Sequence, residues 1–561
     1  MPVARDLPLS SRRTLPHLAL ILGLLLAGAA TALSAQIAEN KASSGDPSTK
    51  SGPGRAPAAA SATSPTVQRH DGFQSSPRRK QWRFLVYMNA DNDLEAEAMV
   101  DFLELAQTGS TAEVDIVVQL DRITGYNKDY GNWKDTRRFH VTQSLTPDPG
   151  SELANLGERN MGKGVMKKEG DGSLEDFVCW AHRRFPAERT ALVLWDHGDG
   201  WRTQKLSFKS AGEDWTNNDL LHMAEVREAL ENSAAAGCPV DVIGFDSCLM
   251  GMLEVAYEVA SVAPVMLASE KMVPGTGWPY DLIIADLAAD PFIDARALGE
   301  MIVRDYAVAE PNETIAALDL SAVPALAEAV TALALTLDSL KPDIVSVRDL
   351  VRDYGTGGAR NHVDLHDLAD RFTIQFAAGA IHDAAQAVLD AFPLVVIANH
   401  GKPGKDHGIA LYYPELASKL SEDYNGDIIV FAHDGNWDDF LRWYHEISWL
   451  YALGQATPGG TIEFRVVGAP AAPVMLYLGT GVQKPPQPTP YGWVYIEQPP
   501  LAAIPLGPIP TDGLLKSLQT LPAFWQLGEE KPFQALVGPP GHSTSELSNL
   551  LRLILVPADS R

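Results

Sequence analysis

The stretch that most restricts how this chain can fold runs Pro239-Val240-Asp241-Val242-Ile243-Gly244-Phe245-Asp246-Ser247-Cys248-Leu249-Met250-Gly251. Val240 to Phe245 is an apolar run of strand length, short enough to lie buried within a sheet. Asp246 and Ser247 interrupt it, and both are good helix-capping residues. Leu249, Met250, Leu253, Val255, Ala256 and Val259 follow, a spacing that predicts a helix with a broad apolar face. Cys248 is thereby expected where a buried strand gives way to a helix. Free backbone N–H groups and the helix dipole favour an anion at such a point. A thiolate is an anion, and the thiolate is the reactive form of cysteine.

A second stretch complements the first. Thr190 to Trp195 reads as another buried strand, and it ends in Asp196-His197-Gly198-Asp199-Gly200-Trp201. Ligands of open α/β sheets bind at the carboxyl ends of strands. An imidazole at one such end and a thiol at another make a base and a nucleophile. His197 precedes Cys248 by about 50 residues, close to the caspase separation, although the caspase cysteine signature is absent.

Together, Leu194-Trp195-Asp196-His197-Gly198-Asp199-Gly200-Trp201 and Phe245-Asp246-Ser247-Cys248-Leu249-Met250-Gly251 resemble the clostripain family of cysteine peptidases. That family shares a caspase-like core with caspases, legumains and gingipains. Two further segments match it in order: Leu85-Val86-Tyr87-Met88-Asn89-Ala90-Asp91-Asn92-Asp93-Leu94-Glu95 and Pro274-Gly275-Thr276-Gly277-Trp278-Pro279-Tyr280. The resemblance covers Trp82 to Tyr413. It implies a cysteine endopeptidase with an α/β fold, a caspase-like and largely parallel sheet covered by helices on both faces. The alternation of strand and helix patterns through this region points to the same layering. Asp364 to Phe392 reads as helical, and the resemblance implies that a strand over Gly408 to Tyr413 returns to the same sheet.

The resemblance also implies roles. Cys248 would attack a peptide carbonyl and His197 would activate the thiol, giving a thioester. The backbone N–H groups of Cys248 and Gly198 would hold the oxyanion. Asp246 matches an acidic position that the family uses near the pocket for the residue preceding the scissile bond, where it would pair with Arg or Lys; the alternative is a helix cap beneath Cys248. Ser269, Glu270, Thr276 and Trp278 would form a further wall of the substrate pocket. Thr276 stands where an acid could have helped, and Lys271 sits beside Glu270. Family members are often matured by self-cleavage after a basic residue between His and Cys, here Lys209 or Lys205. No cofactor is required. Calcium is possible by resemblance, with Asp91 and Asp93 as ligands, although their spacing lacks the EF-hand pattern; the alternative for the Asp91-Asp93-Glu95 group is a turn and helix start. The His362 and His366 pair lacks the flanking glutamate of a zinc peptidase motif.

The rest of the chain fits around this core. Arg12-Arg13 followed by the apolar stretch from Leu15 to Leu33 and small residues reads as a signal peptide over residues 1–35. Residues 36–80 are rich in Ser, Ala, Pro and Gly without apolar periodicity, which predicts a disordered linker. The peptidase domain is expected over 81–452. From residue 453 to 561, Pro, Gly and short β-rich runs predict a small all-β domain. The three cysteines are Cys179, Cys238 and Cys248; the first two can pair only if the fold brings them together, which would leave Cys248 as the odd thiol. A net charge of −26 speaks against nucleic acid and anionic membranes as partners. The expected partners are proteins or peptides with basic residues, met in the periplasm or outside the cell, with no stable membrane insertion after signal cleavage. A different class of function, an inactive peptidase-like scaffold that binds a surface ligand, is weakened by the retention of both His197 and Cys248.

Overall fold

Trp82 to Ala90 is buried without a break, and so is Val114 to Arg122. Strands that expose neither face need helices on both sides of their sheet, and the computed structural model has them. It describes residues 79–561 except 203–211, 338–340, 356–360, 427, 446–448, 454–455, 470, 490–491, 511–513, 527, 539–545, 549–550 and 556–561. The expected signal peptide and the expected linker through residue 78 lie outside the described residues, as do Lys205 and Lys209.

The chain forms two compact units, one built on Arg79–Trp449 and one on Leu450–Pro510 with Leu515–Arg561. In chain order the strands of the first unit are β1 (Lys80–Ala90), β2 (Val114–Arg122), β3 (Thr136–His140), β4 (Ala154–Gly157), β5 (Ala187–Trp195), β6 (Glu213–Asp214), β7 (Asp219–Leu220), β8 (Val242–Asp246), β9 (Val265–Ala268), β10 (Ile315–Asp319), β11 (Asp353–Tyr354), β12 (His362–Asp364), β13 (Val396–His400) and β14 (Ala410–Tyr412). Nine of them make one sheet in the order β13-β10-β9-β8-β5-β1-β2-β3-β4. Its centre, β9-β8-β5-β1-β2, is parallel. Both margins are antiparallel.

The period-two alternation of strand side chains sorts residues to the two faces. Phe84, Val86 and Met88 pack with Phe102, Leu105, Ile283, Ile284 and Ile302 from the helices Glu95–Thr108, Tyr280–Ala289 and Ala295–Ala309. Tyr87 turns the other way, with its ring 6.0 Å from Phe177 on the helix Leu174–Arg184. On that side a disulfide joins Cys179 to Cys238, with Cα atoms 5.4 Å apart. The fold thus brings together two cysteines 59 residues apart and leaves Cys248 as the free thiol.

Three local expectations are corrected. The helix after Cys248 spans only Leu253–Glu258. Leu249 takes a left-handed backbone with φ 61°, and its N–H and that of Gly251 bond to the Lys271 and Ser269 carbonyls. Residues 249–252 are therefore an irregular connection, because their donors are taken by the loop beyond β9. Second, β14 does not return to the large sheet but pairs with β12 in a three-stranded sheet, β11-β12-β14. The edge beside β10 goes to β13 instead. Third, the helical pattern from Asp364 to Phe392 breaks into Leu365–Gln375 and Ala380–Val395, parted at Gly379 with φ 100°.

The second unit is built of strands among its described residues, with a core of its own around Ile462, Phe464, Val466, Val474, Leu476 and Phe533. Its strands alternate buried and less buried residues, as in Thr461–Val467 and Pro473–Leu478, the pattern of sheets with one packed face.

Candidate active site

β5 and β8 are parallel neighbours, in register from Ala191 opposite Val242 to Trp195 opposite Asp246. Each chain continues two residues past that last pair, one to His197 and the other to Cys248. Both therefore emerge at the carboxyl edge of the sheet, at matching heights. Gly198 closes the gap between the two tips. A Cβ built on it would lie 2.7 Å from the Cys248 carbonyl oxygen and 3.1 Å from the Cys248 nitrogen. The two backbones meet directly, and only glycine leaves room for that.

The main chain and the ring of His197 are held by two different acids. Buried Asp196 accepts its neighbour's N–H, from His197, at 2.5 Å, the Glu213 N–H at 2.5 Å and the Asn92 amide at 2.7 Å. Burial pushes the Asp196 carboxyl well above its usual range. His197 Nε2 lies 2.7 Å from Asp93 Oδ1. Residue Asp93, expected as a metal ligand, thus touches the imidazole across 104 positions of sequence. With Nε2 engaged there, Nδ1 is the ring nitrogen left for proton exchange. Cys248 is partly exposed, and its sulfur lies 3.8 Å from the Val273 carbonyl. Because the following helix starts only at Leu253, the dipole expected to act on the sulfur is too short and too far along the chain to do so.

A pocket of about 420 Å³ opens beside Cys248. Its walls are Leu249, the Lys271–Pro274 loop, Glu313 and the segment from Arg352 to Gly355. The residues expected from sequence to touch substrate stand elsewhere. Asp246 is buried, accepting the Trp278 N–H at 3.1 Å and the Tyr280 hydroxyl at 2.8 Å. Burial, with Glu104 adding to it, pushes its carboxyl up to about 7. It caps no helix; it ties down the loop that carries Trp278. Ser269 is buried against the Thr314 hydroxyl at 2.8 Å. Glu270 is buried and accepts the Gly408 N–H at 2.9 Å; burial, then Asp364, push it well above the carboxylate range. Thr276 is exposed and bonds to Glu310 at 2.6 Å, and Trp278 is buried under the sheet edge, against Gly244. None of these five lines the pocket. The side chains that do carry no motif, and Glu313 stands far in sequence from Arg352 and Asp353, so nothing in the chain alone could have joined them.

The acidic turn after β1 divides its members. Asp93 goes to His197 and Glu95 to Arg122, at 2.8 Å and wholly buried. Asp91 turns toward Asp121 and Asp214, with one carboxylate oxygen from each within 4.8 Å of the others. Burial pushes Asp91 up to about 7, and burial with the nearby Asp214 pushes Asp121 well above its usual range.

A free thiol and an imidazole on neighbouring strand tips, over a pocket at the carboxyl edge of a parallel sheet, are the furniture of a cysteine peptidase. The chain belongs to the clostripain family: the sequence model of that family matches residues 86–447. It is accordingly a cysteine-type endopeptidase, and its substrates are peptides. Clostripain of Hathewaya histolytica is 22% identical over 452 residues, which cover 68% of this chain and 82% of that protein. Among solved structures, a secreted C11 cysteine protease from Bacteroides thetaiotaomicron, in complex with an irreversible peptide inhibitor, is 19% identical. It aligns with 64% of this chain and 100% of its own, at a TM-score of 0.48. An inactive zymogen C11 protease from Parabacteroides distasonis is 18% identical over 65% of this chain and 99% of its own, at a TM-score of 0.47. No helix among the described residues is long and apolar enough to cross a membrane.

Proposed function

We propose that the protein hydrolyses peptide bonds through Cys248 and His197. The observation that carries this reading is the register of β5 on β8, which sends both residues past the same sheet edge. His197 Nδ1 takes the thiol proton, and the sulfur adds to the substrate carbonyl carbon. The resulting oxyanion accepts from the Cys248 and Gly198 N–H groups. Collapse of that intermediate breaks the C–N bond, and the imidazolium returns its proton to the leaving amine. Water, deprotonated by the same ring, then opens the thioester and releases the acid. Asp93 keeps the ring turned with Nδ1 toward sulfur and favours the imidazolium that forms. Cleavage of a random peptide library by wild type and not by Cys248→Ala is the expected result; equal cleavage by both would end this reading.

Cleavage after Arg or Lys is the expected preference, in keeping with the family. Export is supported by the Cys179–Cys238 disulfide, since such bonds persist in oxidising compartments; recovery of the mature protein from the cytosol alone would count against it. Self-cleavage after Lys209 or Lys205 would give two bands from wild type and one from Cys248→Ala on a denaturing gel, whereas one band from both would reject it. Calcium, a hard cation that takes carboxylate oxygens, fits the Asp91, Asp121 and Asp214 donor set, where it would offset three crowded acids. A calcium-dependent rise in melting temperature that Asp121→Asn abolishes is expected; a rise that survives the substitution places the ion elsewhere.

A further inference from the structure

We infer that Glu313 is the group that selects a cationic side chain in the pocket beside Cys248. This inference rests on the proposed cleavage after Arg or Lys and supplies the acid that Asp246 and Glu270, both buried and engaged, do not present there. The pocket is lined by two cations and two carboxylates, and all but one have partners within the fold. Lys271 Nζ is 3.2 Å from buried Asp406 and 3.3 Å from the Asn312 carbonyl. Arg352 Nε is 3.0 Å from the same Asp406. Asp353 is 2.7 Å from Arg348, whose side chain is 1% exposed. Glu313 has no cationic partner among the described residues, and it is partly exposed on the pocket wall.

Among the described residues, Glu313 is the one lining carboxylate with no cation of the fold held on it, since Lys271 and Arg352 both turn to Asp406, and a guanidinium can meet such a carboxylate with two parallel hydrogen bonds. Glu313 is also well anchored. Its N–H donates to the Glu310 carbonyl at 3.2 Å, in the turn between the helix Ala295–Ala309 and β10. The Glu310 carboxylate accepts the Thr276 hydroxyl at 2.6 Å. The turn that bears Glu313 is therefore docked on the loop that follows the pocket-lining residues Lys271 to Pro274. Charge selection and the wall nearest the sulfur are built as one piece.

The test compares peptides with arginine and with citrulline, its uncharged isostere, before the scissile bond. The ratio of their kcat/KM values isolates the charge from the shape. Wild type should favour arginine strongly, and Glu313→Gln should lower that ratio at least about tenfold, the worth of a hydrogen bond to a charged group. Glu313→Asp, which keeps the charge, should hold most of the ratio and shows that loss in Glu313→Gln is not a folding defect. A ratio unchanged in Glu313→Gln overturns the inference while leaving the basic preference intact. A wild-type ratio near one removes the basic preference itself, and the inference with it.

Discussion

Replacing Gly198 by alanine puts the geometry of the strand tips under direct strain. The new Cβ would stand 2.7 Å from the Cys248 carbonyl oxygen, 3.0 Å from the Ser247 Cβ and 3.1 Å from the Cys248 nitrogen. Carbon–oxygen contacts normally begin near about 3.3 Å, so the tips must part by roughly half an ångström or more. Gly198 does not have a left-handed φ, so alanine meets no backbone objection of its own. The cost is contact alone, and overpacking of this kind destabilises by about 1–3 kcal/mol. The larger effect falls on catalysis, because displacement by ~1 Å can cost about a hundredfold in rate. Gly198→Ala is therefore expected to lose roughly 10- to 100-fold in kcat/KM with a modest fall in melting temperature. Steady-state hydrolysis of one good peptide, beside a thermal melt, measures both. Full activity in the folded variant would refute the close approach of the two backbones as a requirement of the site.

Asp93→Asn should lower kcat by about fivefold with little change in KM. The 2.7 Å contact is charge-assisted, but Asp93 is 49% exposed, so solvent trims its worth to about 1 kcal/mol; kcat within twofold of wild type would deny it a positioning role. Replacing Cys179 and Cys238 together by serine frees a 59-residue span in the unfolded chain and should cost about 2–4 kcal/mol in urea denaturation, while leaving thiol reactivity at Cys248. No loss of stability would mean the bond is not formed in the mature protein. The Asp246 carboxyl holds its proton to about pH 7 in the folded state and releases it near its ordinary value when unfolded. The folded state then binds more protons between about pH 4 and 7, so stability falls as pH rises through that window, by up to about 1.4 kcal/mol per pH unit from this group. Asp246→Asn should flatten the slope, and a slope unchanged in that variant would contradict the assignment.

The strands were readable because burial on both faces leaves continuous apolar runs, and Thr190–Trp195 and Val240–Phe245 fall on β5 and β8 to within a few residues. The tips were readable for the same reason, since a polar residue ends each run abruptly. The connection after Cys248 was not. Leu249, Met250 and Leu253 are apolar at helical spacing, but the Leu249 N–H goes to Lys271, the Gly251 N–H to Ser269 and the Gly251 carbonyl to Ala410, partners brought in by the fold. The Asp93 contact escaped because an acidic residue at a helix start already has a local explanation. The exchange of β14 for β13 at the sheet margin escaped for a similar reason, since apolar pattern marks a strand without naming its neighbour.

The intact mass of the protein after treatment with a peptidyl acyloxymethyl ketone, followed by peptide mapping, tests most directly whether the two strand tips make one reactive centre. A single adduct on Cys248, formed far more slowly in His197→Ala, is the expected result. An adduct that forms on Cys248 just as fast without His197, or hydrolysis that persists after Cys248→Ala, would contradict it.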